Sequence, residues 1–116
     1  MILLDGQINR TPAVLLLDTG AEFSIVSPLA AGVSPAKLHA LTGNGGTGAN
    51  GEYVRGTVDL GLSNRTFLSR EILVMDLSDV SKRMGERIDG FLGQDVLREF
   101  SAVRVDYKAH TVTLEN

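Results

Sequence analysis

Ala13-Val14-Leu15-Leu16-Leu17-Asp18-Thr19-Gly20-Ala21-Glu22-Phe23-Ser24-Ile25-Val26-Ser27 is the stretch on which the fold turns. Thr11 to Leu17 is a near-continuous apolar run of strand length, suited to burial on both faces. β character resumes from Phe23 to Val26. Between the two runs stands an acid followed by a turn. Gly20 permits a tight turn and close backbone approach, and the Thr19 hydroxyl can fix the loop by bonding nearby backbone. A carboxylate at the end of a buried strand is costly unless it is hydrogen-bonded or functional. Two readings therefore stand side by side: an ordinary Asp-x-Gly turn of a β protein, or a reactive carboxylate. The triplet Asp18-Thr19-Gly20 occurs once in the chain.

The rest of the sequence reads as mainly β. It has 116 residues, 13 of them glycine, with 43% hydrophobic and 22% charged residues. That size and balance predict a single domain over residues 1–116, with one modest core. Ile2 to Leu4 reads as a short strand ending in a turn at Asp5-Gly6. Pro28 to Ala31 and Pro35 to Leu41 read as short helical pieces. Tyr53 to Leu62 alternates as a strand with one buried face, Ser63-Asn64 marks a turn, and Thr66 to Met75 holds one or two strands. A short helix within Asp76 to Arg87 takes Ser78 or Asp79 as its N-cap. Gly90 to Gly93 is a glycine-punctuated strand. Gln94 to Phe100 reads as a helix of about two turns, with Val96, Leu97 and Phe100 on one face. Ala102 to Tyr107 and His110 to Leu114 form a terminal hairpin.

Several function classes are excluded or disfavoured. The net charge is −3 and the longest basic cluster is Lys82-Arg83, so no nucleic-acid surface is expected. The absence of cysteine removes disulfides, thiol catalysis and cysteine zinc sites. His39 and His110 lie far apart in no ligand-spaced motif, so no metal site is expected. No apolar run approaches about 18 residues, and the N-terminus has no signal-peptide pattern. No membrane contact is expected, and the compartment stays open. The abrupt start in a strand pattern is compatible with a periplasmic or membrane-tethered domain cut from a longer protein.

The glycine-rich stretch Gly43 to Gly51 satisfies the letter of G-x-G-x-x-G at Gly43-Asn44-Gly45-Gly46-Thr47-Gly48. A dinucleotide site needs a strand before it and a helix after it. Here the order is reversed, and the nucleotide reading is rejected. A surface loop or a hairpin tip remains.

Leu16-Leu17-Asp18-Thr19-Gly20-Ala21, the mid-chain glycine loop, Gly90-Phe91-Leu92-Gly93-Gln94-Asp95-Val96-Leu97 and Val105-Asp106-Tyr107 follow one another in this order. Together they resemble the retropepsin-like aspartic peptidases, particularly bacterial members with one Asp-Thr-Gly triplet. The resemblance covers nearly the whole chain. It implies a retropepsin-like closed β-barrel with a short helix in the C-terminal half. It implies Asp18 as the catalytic aspartate, Thr19 and Gly20 as active-site loop support, and Ala21 beside bound peptide. Phe91-Leu92-Gly93 matches the apolar-apolar-Gly motif packed behind the loop. The glycine loop matches the flap, with Gly45 and Gly46 near its tip over substrate.

The chemistry of this family needs two carboxylates, and single-triplet members form homodimers with one aspartate from each subunit. The implied function is an aspartic endopeptidase acting on peptide or protein substrates without a cofactor. Apolar pockets near Leu16, Ile25, Val26 and the flap are expected to grip substrate. Asp89 and Asp106 read as turn residues, and Asp95 as a helix cap or surface ion pair. A retropepsin-fold peptide-binding or dimerisation module with little turnover is the alternative. A small β-barrel with an incidental Asp-Thr-Gly turn is a third reading.

Overall fold

A computed structural model of the chain describes residues 2–34, 36–38 and 53–116. The glycine stretch Gly43 to Gly51, with Gly45, Gly46 and His39, lies outside the described residues. Strands β1 (Leu3–Ile8), β2 (Thr11–Leu17), β3 (Ile25–Val26), β4 (Tyr53–Leu62), β5 (Arg65–Met75) and β6 (Gly90–Leu92) close into a barrel in the order β1-β2-β6-β3-β5-β4. Strands β7 (Ala102–Asp106) and β8 (Thr111–Glu115) form a separate two-stranded sheet. Among the described residues the helices with both ends defined are α1 (Pro28–Ala31), α2 (Ser78–Met84) and α3 (Gln94–Leu97). Residues 36–38 are also helical.

The first hairpin turns at Asn9-Arg10, whose φ values of 51° and 68° are those of a tight two-residue turn. The turn expected at Asp5-Gly6 is therefore corrected, because β1 runs straight through both residues. Gly6 is needed there for close approach: a Cβ on it would stand 2.7 Å from the Gly61 carbonyl oxygen and 2.9 Å from Leu15 Cδ1.

Strand register separates the two faces of the barrel wall, since paired residues point to the same side. The row Leu15, Gly90, Val26, Val74 faces inward and is buried throughout. It joins Ile8, Leu60, Leu62, Leu92, Val96 and Phe100 in one core. The neighbouring row Leu16, Phe91, Ile25, Leu73 faces outward and is half-buried. β2 is thus fully buried only at Ala13 and Leu15, a narrower burial than its unbroken apolar run predicts.

β4 and β5 form one long hairpin, with a register slip between Val58 and Leu60. Asp59 sits at that irregularity. Its Oδ1 accepts from the Ser69 N–H, and its own N–H donates to Asn9 Oδ1, each at 2.9 Å.

Helix α1 is bounded as its sequence directs. Ser27 accepts the Ala30 N–H, Pro28 opens the first turn, and Gly32 closes it at φ 77°. Ser27→Ala should lower stability by about 1 kcal/mol, measured by urea denaturation; an unchanged midpoint would show that the cap contributes nothing. Helix α2 departs from expectation. Leu77, not Ser78 or Asp79, holds the N-cap position, and the Asp76 carboxylate takes the Ser78 N–H at 2.8 Å. Helix α3 spans four residues rather than two turns, yet Val96, Leu97 and Phe100 are all buried. The terminal hairpin lies where expected, with Asp106 Oδ1 taking the Lys108 and Ala109 N–H groups in its turn.

Candidate active site

Asp18 stands one residue beyond the point where Leu17 of β2 pairs with Leu92 of β6. Its N–H donates to the Leu92 carbonyl at 3.0 Å, which extends the ladder by one bond. Its carbonyl accepts the Ala21 N–H at 3.1 Å, and its Oδ1 accepts the Gly20 N–H at 3.2 Å. The side chain is half-buried, while Thr19 and Gly20 are exposed at the loop crest. Asp18, Thr19, Gly20 and Ala21 thus form one compact turn at the end of a buried strand.

Residues 92–95 hold this turn from beneath. The Gln94 N–H donates to the Ala21 carbonyl at 2.8 Å and the Asp95 N–H to the Glu22 carbonyl at 3.0 Å. Gln94 Nε2 donates to the Thr19 carbonyl at 2.8 Å. The Gly93 N–H donates to Ser24 Oγ at 2.9 Å, and Ser24 Oγ in turn donates to Asp95 Oδ1 at 2.7 Å. The Ser24 N–H donates to Asp95 Oδ2 at 3.1 Å. Gly93 sits so close to the loop that a Cβ on it would meet the Phe23 carbonyl oxygen at 2.7 Å and that of Ala21 at 2.9 Å. Phe91-Leu92-Gly93 therefore does pack behind the Asp18 loop.

The other acids have structural partners. Asp95 is not a helix cap or surface ion pair: its carboxylate is spent on Ser24. Asp89 is more than a turn residue. It pairs with Val14 through main chain and side chain, its N–H donating to the Val14 carbonyl and its Oδ2 accepting the Val14 N–H, both at 2.8 Å. It also takes Arg87 Nε at 3.0 Å. Ser24 and Asp95 escaped sequence reasoning because their contact spans 71 residues. The visible trace is a hydroxyl six residues after Asp18 and an acid two residues after Gly93.

Two cavities open on the outer face of the barrel wall. One, of about 610 Å³, has Ile25, Phe91, Met75, Leu77 and Val80 as its apolar lining and Asp76, Asp79, Lys82 and Arg83 as its charged lining. The other, of about 550 Å³, is lined by Phe23, Tyr53, Arg55, Arg70, Leu73 and Asp95. Phe23 and Tyr53 in its lining are 57% and 54% exposed. The charges in this wall are internally matched: Arg55 pairs with Glu71 at 3.1 Å, and Arg70 with Glu99 and the Asp95 carbonyl. Ile25 lines the first cavity as expected; Leu16 lies on the same outer face but lines neither cavity, and Val26 points into the core and is 3% exposed, so it cannot line a pocket. Among the described residues no group of His, Cys, Asp and Glu side chains could hold a metal ion, and no helix is long and apolar enough to cross a membrane.

The chain has a retropepsin-like fold, a closed six-stranded barrel; its Asp-Thr-Gly turn stands at the end of β2, braced by the β6–α3 junction. The retroviral protease-like domain of Ddi1 from Leishmania major matches with a TM-score of 0.59 and 17% identity, over 100% of this chain and 89% of that one. EIAV protease, in complex with the inhibitor HBY-793, matches with a TM-score of 0.52 and 27% identity, over 84% of this chain and 85% of that one. A retropepsin-like aspartic protease from Rickettsia conorii matches with a TM-score of 0.56 and 17% identity, over 90% of this chain and 75% of that one. No protein-family model and no curated protein matches the chain by sequence.

Proposed function

We propose that this chain is one half of an aspartic endopeptidase, whose active site forms when two copies each contribute Asp18. The observation that carries the reading is the placement of Asp18: a half-buried carboxylate at a strand end, on a loop braced by at least seven hydrogen-bonded contacts in a retropepsin-like barrel. Asp89, Asp95 and Asp106 are committed elsewhere and none repeats the Asp-Thr-Gly context, which supports a second carboxylate from another copy of the chain.

In a shared site of two carboxylates, one works as the base and the other as the acid. The charged member takes a proton from water as the water oxygen bonds to the scissile carbonyl carbon. The protonated member gives its proton to the carbonyl oxygen. Collapse of the resulting diol breaks the C–N bond, and the leaving nitrogen takes up a proton. Thr19 and Gly20 support the loop, and Ala21 lies beside the peptide. Gly45 and Gly46, which the resemblance implies as substrate-binding residues, lie outside the described residues. Neither a metal nor an organic cofactor takes part.

The test is cleavage of an unbiased peptide library as a function of protein concentration. Specific activity should rise steeply with concentration until the dimer saturates, and sedimentation should show the dimer over the same range. Peptide binding without cleavage at saturating dimer would support a non-catalytic binding module instead. Specific activity independent of concentration, with monomers alone in sedimentation, would overturn the shared-site reading.

A further inference from the structure

We propose that Asp95 is a positioning residue for Asp18, acting through Ser24. The proposal rests on the reading of Asp18 as the catalytic carboxylate. The seven residues from Asp18 to Ser24 contain no strand or helix, so their shape depends on bonds from outside the segment. Half of those bonds, such as that from the Gln94 N–H to the Ala21 carbonyl, are backbone to backbone and need no particular side chain. The Ser24–Asp95 contact is different, because it is made by side chains and sits at the point where the loop re-enters the barrel at β3.

The donor count explains why a carboxylate stands there. Ser24 is 1% exposed, so water cannot serve its polar atoms. Its Oγ already accepts the Gly93 N–H, and its hydroxyl proton must find an acceptor elsewhere. Its N–H needs a second acceptor. Asp95 supplies both, Oδ1 to the hydroxyl at 2.7 Å and Oδ2 to the N–H at 3.1 Å. Only a carboxylate offers two acceptor oxygens in that span; an amide offers one and turns a donor toward the other group. Asp95 is itself fixed: its N–H bonds the Glu22 carbonyl, and its own carbonyl takes Arg70 Nη2. A rigid carboxylate thus clamps the far end of the loop, while Leu92 holds the near end at the Asp18 N–H.

Asp95→Asn tests this, with two readouts. In the peptide-cleavage assay kcat should fall about 10- to 100-fold while KM stays within about 2-fold, the pattern of a catalytic group displaced by a fraction of an ångström. Amide hydrogen exchange, read residue by residue by NMR, should speed up about 10-fold or more across Thr19 to Ser24 while β4 and β5 amides stay as in the wild type. The exchange readout needs no enzyme activity. If the wild type cleaves nothing but the loop amides alone are deprotected, the catalytic reading fails and the clamp stands.

The Ser24→Ala/Asp95→Asn double variant should lose no more activity than the worse single variant, because both act at one contact. Should Asp95→Asn fail to fold, Ser24→Ala alone carries the same two readouts. Unchanged kcat with raised KM, uniform deprotection of the whole barrel, or additive losses in the double variant would each overturn the proposal.

Discussion

Asp18→Asn should lower kcat/KM by roughly 10³- to 10⁴-fold, the scale on which general acid–base groups act. It should leave the melting temperature nearly unchanged. The substitution keeps the shape of the side chain. The one bond its carboxylate makes among the described residues, from the Gly20 N–H to Oδ1, can be kept by the amide oxygen, so the stability change should stay within about 0.5 kcal/mol. What disappears is the group that must take a proton from water. A loss of activity that tracked a loss of folded protein would contradict this. So would cleavage by the variant at the wild-type rate.

The same variant tests whether the site belongs to two chains. A mixed dimer has one aspartate and one asparagine and cannot share a proton between carboxylates. At saturating dimer concentration, a ninefold excess of Asp18→Asn leaves about one wild-type chain in ten with a wild-type partner under random pairing. Activity per wild-type chain should fall by that factor, after time for subunit exchange. A site complete within one chain would show no such interference, however much variant was added.

Much of this site was legible in the chain itself because its parts are local. Leu15, Leu16 and Leu17 define a strand, Asp18-Thr19-Gly20 a turn, and Phe91-Leu92-Gly93 its apolar support. Each is a contiguous block whose residue types fix its local shape. The barrel followed from these blocks through resemblance, not from periodicity. What stayed hidden depends on tertiary pairing. Gly6 reads as a turn glycine next to Asp5, but its role is set by Gly61, a strand away. Asp95 reads as a helix cap because it opens α3, but Ser24 claims its carboxylate from 71 residues off. Asp76 caps α2 from outside the helix, where Ser78 and Asp79 looked equally suited. Val26 looked like pocket lining because apolar character alone does not say which face of a strand it occupies; the pairing of Val26 with Gly90 and Val74 does.

Gly93→Ala should be the most damaging single methyl added near the site. Gly93 has φ −103° and ψ −174°, a conformation open to any residue, so backbone strain does not demand glycine here. Space does. The added Cβ would lie 2.7 Å from the Phe23 carbonyl oxygen, 2.8 Å from the Phe23 carbonyl carbon and 2.9 Å from the Ala21 carbonyl oxygen. These are backbone atoms of the Asp18 loop and cannot swing aside as a side-chain tip would. The loop must retreat by some tenths of an ångström, stretching the Gln94 N–H bond to Ala21 and the Gly93 N–H bond to Ser24.

Overpacking of this kind costs about 1–3 kcal/mol, which for a chain of this length lowers the melting temperature by roughly 4–15 °C. The displaced loop carries Asp18, so kcat should fall a further 10- to 100-fold, roughly, in the fraction that stays folded. Gly32→Ala is the matched comparison. Nothing lies within 4 Å of a Cβ there, but its φ of +77° is left-handed, so it should lose about 1–2 kcal/mol of stability through conformation alone while folded protein keeps its kcat. If the two variants lost stability alike and neither lost kcat, the close approach of Gly93 would matter only to folding, and the bracing of Asp18 from the β6–α3 junction would have no part in its chemistry.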